Sequence, residues 1–273
     1  MKSLKVIILM FIASQCYAQG LTTTKVYKVN KLKSGLFILG GAVANTLGLT
    51  YILQNKPAIP ESTIMQLNKN DVWAFDRGVL NQTLTNRDTW EHISDFGFTA
   101  TNILPIFLFL NKSIAKDWKE VIILFAETQI VSSLAFTYIP IGPAFVNRFR
   151  PRAYYQELPL SEKVSGNTKN SFFSGHASTT ASASFFMAKV YADYHPEMKG
   201  KIWLYAAALI PPAIVGYGRV KSLFHFTSDV IVGTAIGAAV GILIPHMHKN
   251  KSNVKMSLFQ INDAAGLALK IKL

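Results

Sequence analysis

Three short blocks gather the side chains of this sequence that could do chemistry. They are Asn147-Arg148-Phe149-Arg150-Pro151-Arg152, Phe173-Ser174-Gly175-His176, and the run from Gly218 and Arg219 through His225 to Asp229. In the third block His225 and Asp229 are four residues apart, so on a helix they share one face. A carboxylate there can accept a hydrogen bond from one imidazole nitrogen and leave the other unprotonated, as a nucleophile requires. Taken alone, such a pair is more often an ordinary surface pair of a helix. In the second block Ser174 is a helix cap, and Gly175 lets an anion approach the backbone closely. The free N–H groups of a helix start bind phosphate-like anions. His176, at that same end, is placed to protonate a departing oxygen; alone it reads as a surface histidine after a cap. In the first block Arg150 precedes a proline and is held out of helix. Guanidinium forks match tetrahedral oxyanions, although for Arg148 and Arg152 a grip on lipid headgroups is an equal alternative.

Weak singly, the three blocks in this order resemble the type 2 phosphatidic acid phosphatase (PAP2) superfamily, which also includes bacterial acid phosphatases and vanadium haloperoxidases. The family pattern runs K-x6-R-P, then P-S-G-H, then S-R-x5-H-x3-D. Arg150-Pro151 matches the end of the first part, Ser174-Gly175-His176 the second, and Arg219, His225 and Asp229 the third with its spacing intact. The resemblance implies a phosphatase working through a phosphohistidine, with His225 as nucleophile, His176 as acid and then base, and Asp229 holding His225. It further implies that Arg150, Ser174, Gly175 and Arg219 bind the phosphate, and that neither metal nor cofactor is needed. Three positions depart from the pattern: Pro143 stands where the family has lysine, Phe173 where it has proline, and Gly218 where it has serine. Arg148 or Arg152 is a candidate to replace the lysine.

The elements that must carry these blocks are apolar runs. Leu36–Leu53 is an uncharged run of 18 residues, followed by Phe96–Leu110, Val121–Ile141 (interrupted by Glu127), Phe173–Val190, Ile202–Gly218 and Val230–Ile244. A bilayer takes roughly 20 such residues to cross. The expected fold is therefore all-α, a helical bundle of the PAP2/haloperoxidase type with six transmembrane helices. Gly233, Gly237 and Gly241 form a small-residue seam in the last run. Between the runs, Val72–Leu84 has the pattern of a short amphipathic helix at an interface. Lysines crowd residues 25–33, 112–119, 199–201 and 249–255. The positive-inside rule puts these on the cytoplasmic side and loops 54–91, 142–172 and 218–229 on the other.

Hydrophobic residues make up 50% and charged residues 16% of the 273, against a usual charged share of about 25%. Residues 1–18 read as a bacterial secretory signal or an N-terminal anchor, with a cleavage site after Ala18. Cleavage would take the only cysteine, Cys16, and exclude thiol catalysis and cysteine-bound zinc. It would also lower the net charge from +13 to about +11. A cleaved signal places residues 19–35 outside, where their lysines argue for inside; an uncleaved anchor, an inverted topology or a chain that is not polytopic would resolve the conflict. The remaining organisation is an N-terminal segment with the first span (19–69), a PAP2-like core (70–248) and a basic tail (249–273). No nucleic-acid motif accompanies the positive charge, so the expected partners are the membrane and an anionic phospholipid or isoprenoid phosphate. Phosphatidic acid, phosphatidylglycerol phosphate, undecaprenyl diphosphate and lipid A phosphates all fit. The expected location is the bacterial cell membrane with the active site on the periplasmic face. Competing readings are a soluble periplasmic acid phosphatase, a vanadate-dependent haloperoxidase, and a non-enzymatic membrane protein with a degenerate site.

Overall fold

The computed structural model describes residues 25–250 and the backbone of two further stretches, 254–261 and 264–271. The segment read as a signal, residues 1–18, lies outside the described residues. Residues 29–248 form one compact unit. Its longer helices are α1 (Lys31–Thr50), α2 (Arg87–Ile103), α3 (Trp118–Tyr138), α4 (Gly175–Tyr194), α5 (Lys201–Ala208), α6 (Ile210–Lys221) and α7 (Thr227–Met247).

The N-terminal helix α1 begins where Asn30 accepts a hydrogen bond from Lys33 N, and it continues through a π-helical turn to Asn55. It is apolar on every side, the pattern of a membrane span rather than of a surface helix. Leu36, Leu39, Val43 and Leu47 are 63–67% exposed, a stripe of large apolar side chains that no element among the described residues covers. Among the described residues, four stretches are long and apolar enough to cross a membrane: Lys31–Asn55, Arg87–Leu110, Trp118–Tyr138 and Thr227–Met247.

The expected six spans are thus not six continuous apolar helices among the described residues. The run at 173–190 forms α4, which is rich in Ser, Thr and Ala and buried along most of its length. The run at 202–218 breaks at Leu209 into α5 and α6, with Pro211 and Pro212 in the first turn of α6. Proline cannot donate the N–H that a continuous helix would use there.

At the centre, α4 packs along α7. A Cβ on Gly233, Gly237 or Gly241 would run into the backbone oxygen of Ser174, Ser178 or Ser182 respectively, so only glycine permits this approach. On its other side α4 meets α3, where Ser132 and Ser178 are hydrogen-bonded and Phe125 packs on Phe186. These contacts set the N-terminus of α4 beside the N-terminus of α7, with Ser174 N donating to Asp229 O.

The two ends of the bundle differ in charge. At one end lie Lys31 near Glu120, Asp117 bonded to Tyr194, and Asn111 bonded to His195. The other end gathers the loops between helices: Lys56 on Pro143, Ile59 on Val164 and Gln82 on Val220. The segment Val72–Leu84, expected to be a short amphipathic helix, is instead a turn leading into a 3-10 helix at Arg77–Asn81. Arg77 ties the turn back by donating to the carbonyls of Val72 and Asn70. Val72, Val79 and Leu80 bury themselves against Tyr155, Leu158, Leu223 and Phe226.

The chain ends form a second unit. In it Tyr27 bridges Lys249, and 254–261 pairs antiparallel with 264–271, Val254 opposite Ile271.

Candidate active site

The third block owes its shape to the way α6 stops. Ser222 caps the helix, Leu223 takes a left-handed conformation (φ 61°), and the N–H groups of Phe224 and His225 both donate to the carbonyl of Arg219. A non-glycine residue there is strained, and full burial of the Leu223 side chain holds it. The turn drives His225 into the interior, where it is 3% exposed.

His225 Nδ1 lies 2.6 Å from the carbonyl oxygen of Ser171 and 3.8 Å from the Asp229 carboxylate. The expected hydrogen bond from His225 to Asp229 is therefore replaced by one to a backbone carbonyl. A carbonyl can only accept, so Nδ1 carries the proton and Nε2 keeps its lone pair. Asp229 is occupied otherwise. Its carboxylate accepts from Ser171 Oγ at 2.6 Å and from Phe226 N at 2.7 Å, capping α7, and it pairs with Arg148. Asp229 thus fixes Ser171, whose carbonyl fixes His225. Burial, reinforced by Arg150 and Arg219, holds the imidazole down at about 4, while Asp229 pulls the other way.

Arg148 is the pin of this assembly. Besides Asp229 it binds Asp76 (2.7 Å) and Ser228 Oγ (2.8 Å), with its guanidinium over the Phe226 ring at 4.6 Å. Asp76, fully buried, also accepts from Ser228 N and Oγ. Its fork is engaged by two buried carboxylates. Asp76 was invisible to the motif reading, because it lies some 70 residues from its partner and in a segment read by its apolar pattern.

Three other guanidiniums converge on one ring. Arg219, Arg152 and Arg150 lie 4.1, 4.9 and 5.1 Å from the Phe224 centroid. Arg150 is hydrogen-bonded to Asn167 and has no carboxylate in contact. Burial, with Arg152 and Arg219 nearby, lowers it to about 9. Arg152 is likewise lowered by burial. Nε of Arg152 and of Arg219 lack a hydrogen-bond partner among the described residues. Buried cations with unused donors and mutual repulsion form a site that an anion would stabilise.

The second block closes the pocket. Ser174 Oγ accepts from Ala177 N and so caps α4. The α-carbon of Gly175 faces Phe136, whose ring a Cβ would meet at 3.1 Å, so a side chain there would press the ring aside by a few tenths of an ångström. The His176 ring packs at a 44° tilt against Phe98 (centroids 4.7 Å apart), and its Nε2 lies 3.4 Å from Asp95 Oδ1. His225, Arg219 and Arg150 are its electrostatic neighbours. All seven residues expected at the site thus meet at one end of the bundle.

The departures from the family pattern have local reasons. Gly218 lies against α2, and a Cβ would come within 2.8 Å of Ser94 Cβ and 2.9 Å of Trp90 O. Serine there would force α2 away. Phe173 sits edge-on to Phe136 in the core. At Pro143, where the family has lysine, the carbonyl receives the ammonium of Lys56 at 2.6 Å, and that ammonium also reaches Asn147. Far from this pocket, Glu127 pairs with His248 at 2.9 Å, the partner its position inside an apolar span demands.

A family model described as the PAP2 superfamily matches residues 126–253. A solved structure of a transmembrane PAP2-type phosphatidylglycerolphosphate phosphatase from Bacillus subtilis is 18% identical, with a TM-score of 0.40, covering 79% of this chain and 94% of that one. The matched segment contains all three blocks but neither Asp76 nor Asp95. Over residues 126–253 the chain matches the PAP2 superfamily.

Proposed function

We propose that this protein is a membrane-embedded phosphatase that removes phosphate from a lipid phosphomonoester or diphosphate through a phosphohistidine on His225. One observation carries the reading. His225 is buried with Nδ1 bound to a carbonyl, which leaves Nε2 free, and His176, Arg150 and Arg219 are its electrostatic neighbours. The family match over the same residues supports it.

In the first step Nε2 attacks phosphorus and the P–O bond to the leaving group breaks. The electron pair goes to that oxygen, which takes a proton from His176. In the second step His176 accepts a proton from water as the water oxygen attacks phosphorus. The P–N bond breaks, and its electron pair returns to Nε2. Arg150, Arg219 and the N–H groups at the start of α4 stabilise the equatorial oxygens, and Arg152 adds positive charge beside them. Phosphate contact by Arg152 replaces that of the family lysine.

The core that does this work spans residues 70–248. With α1 before it the chain crosses six times: α4, sheathed by its neighbours, is the fourth span, the broken pair α5–α6 the fifth and α7 the sixth. The lysines at 31, 33, 112, 116, 119, 199 and 201 crowd the end of the bundle opposite the pocket, which by the positive-inside rule puts the active site on the outer face. Phosphatidic acid, phosphatidylglycerol phosphate, undecaprenyl diphosphate and lipid A phosphate are the substrates to compare. Phosphate release from each, in detergent and without added metal, is the test. His225→Ala should lower the best rate by about a thousandfold or more. Undiminished release by that variant would overturn the proposal.

A further inference from the structure

His176 has to carry a proton when the leaving oxygen departs, yet most of its charged surroundings oppose that. Arg219 from α6 and Arg150 from the 148–152 loop are its positively charged neighbours, with the neutral His225 ring beside them. None of them favours a second positive charge. The exception comes from α2. Asp95 Oδ1 lies 3.4 Å from His176 Nε2 and 2.8 Å from the Arg219 guanidinium, bridging the two. One turn along the same helix, Phe98 packs at a tilt against the His176 ring, so α2 both contacts the ring and reaches its outer nitrogen.

This juxtaposition is built into the packing. Gly218 lets α6 close onto Trp90 and Ser94, and Gly97 packs against Val215 at the distance only a small residue allows. The replacement of the family serine by Gly218 thus brings Asp95 to Arg219. The Asp95 and His176 side chains remain 51% and 35% exposed, so the bridge opens toward the space a substrate must enter. Glu91, one turn before Asp95, adds negative charge toward Arg219 and Arg152.

We infer that Asp95 is a positioning residue for the acid: it holds the proton-bearing Nε2 of His176 at the place where the leaving oxygen arrives. The inference rests on the proposed phosphatase reading. On binding, the leaving oxygen takes the carboxylate's place beside Nε2–H. The proton passes from His176 to that oxygen as the P–O bond breaks, and Asp95 changes no bond.

Leaving groups separate this role from a structural one, because a good leaving group departs without help from an acid and a poor one does not. Asp95→Asn is therefore measured on phosphatidic acid in detergent micelles, whose leaving group is an alkoxide, and on 4-nitrophenyl phosphate. The expected result is a fall in kcat of about tenfold or more on the lipid and less than about threefold on the aryl ester. In a His176→Ala background the same substitution should cost nothing further. Equal falls on both substrates, a loss that persists without His176, or no fall at all would each overturn the inference. Should Asp95→Asn prove unstable, Asp95→Glu takes its place and is expected to restore the lipid rate; failure to do so is also adverse. Wild-type protein releasing phosphate from none of the four candidate lipids and not from the aryl ester would defeat the phosphatase reading itself. Activity on both that survives His225→Ala would do the same, distinct from any failure confined to Asp95.

Discussion

His225 is buried, uncharged and held by a carbonyl, and its depressed pKa has two consequences. As a nucleophile it must be neutral, so kcat/KM should fall about tenfold per pH unit as the pH drops through about 4, where the free enzyme protonates it. The same depression acts on stability. An unfolded histidine titrates near 6.5, so between about 6.5 and 4 the unfolded state binds the extra proton. Stability is then lost as pH falls across that window, and His225 has no effect on the slope above it. Unfolding of wild type and of His225→Gln, followed between pH 7 and 4, should show the steeper acid loss in the wild type. Parallel curves would mean that the ring is not held neutral by its surroundings.

At the level of elements, the pocket depends on how closely two helices approach. Ser174 and Asp229 stand at the adjoining N-termini of α4 and α7, and the glycines at 233, 237 and 241 set their spacing. A methyl group at Gly237 presses on the backbone of Ser178, which cannot yield as a flexible side chain would. Gly237→Ala should destabilise the protein by about 1–3 kcal/mol, seen as a lower melting temperature in detergent, and should depress activity with it. Gly40 in α1 has nothing within 4 Å of its missing Cβ, and Gly40→Ala should leave both unchanged. Equal effects of the two substitutions would remove the seam as the determinant of the site. The 3-10 segment at 77–81 contributes differently: Asp76, just before it, anchors Arg148 and the start of α7, so a loop with little regular structure supports the site from outside.

For the whole molecule, the large exposed apolar side chains of α1 and the four long apolar stretches define its solvent. Their burial requires lipid, because no other part of the unit covers Leu36, Leu39, Val43 or Leu47. High salt or alkaline carbonate should leave the protein in the membrane fraction, and detergent should release it. Release by salt alone would favour the soluble periplasmic reading.

The three signature blocks, the helical class and the apolar runs were legible in the residues themselves, because residue type, spacing and hydropathy are local. His225, Asp229, His176, Arg219 and Arg150 could be named that way. What only the tertiary structure decided is who holds whom. Ser171 rather than Asp229 accepts from His225, Arg148 is engaged by Asp76 and Asp229, and Asp95 reaches both His176 and Arg219. These partners lie tens of residues apart and come together only through helix packing, which glycines at 218 and 237 permit by leaving room. Four rather than six helices qualify as continuous spans for a similar reason. Hydropathy is read residue by residue, but a helix sheathed by its neighbours can afford serine and threonine, and one interrupted at Leu209 need not be continuous.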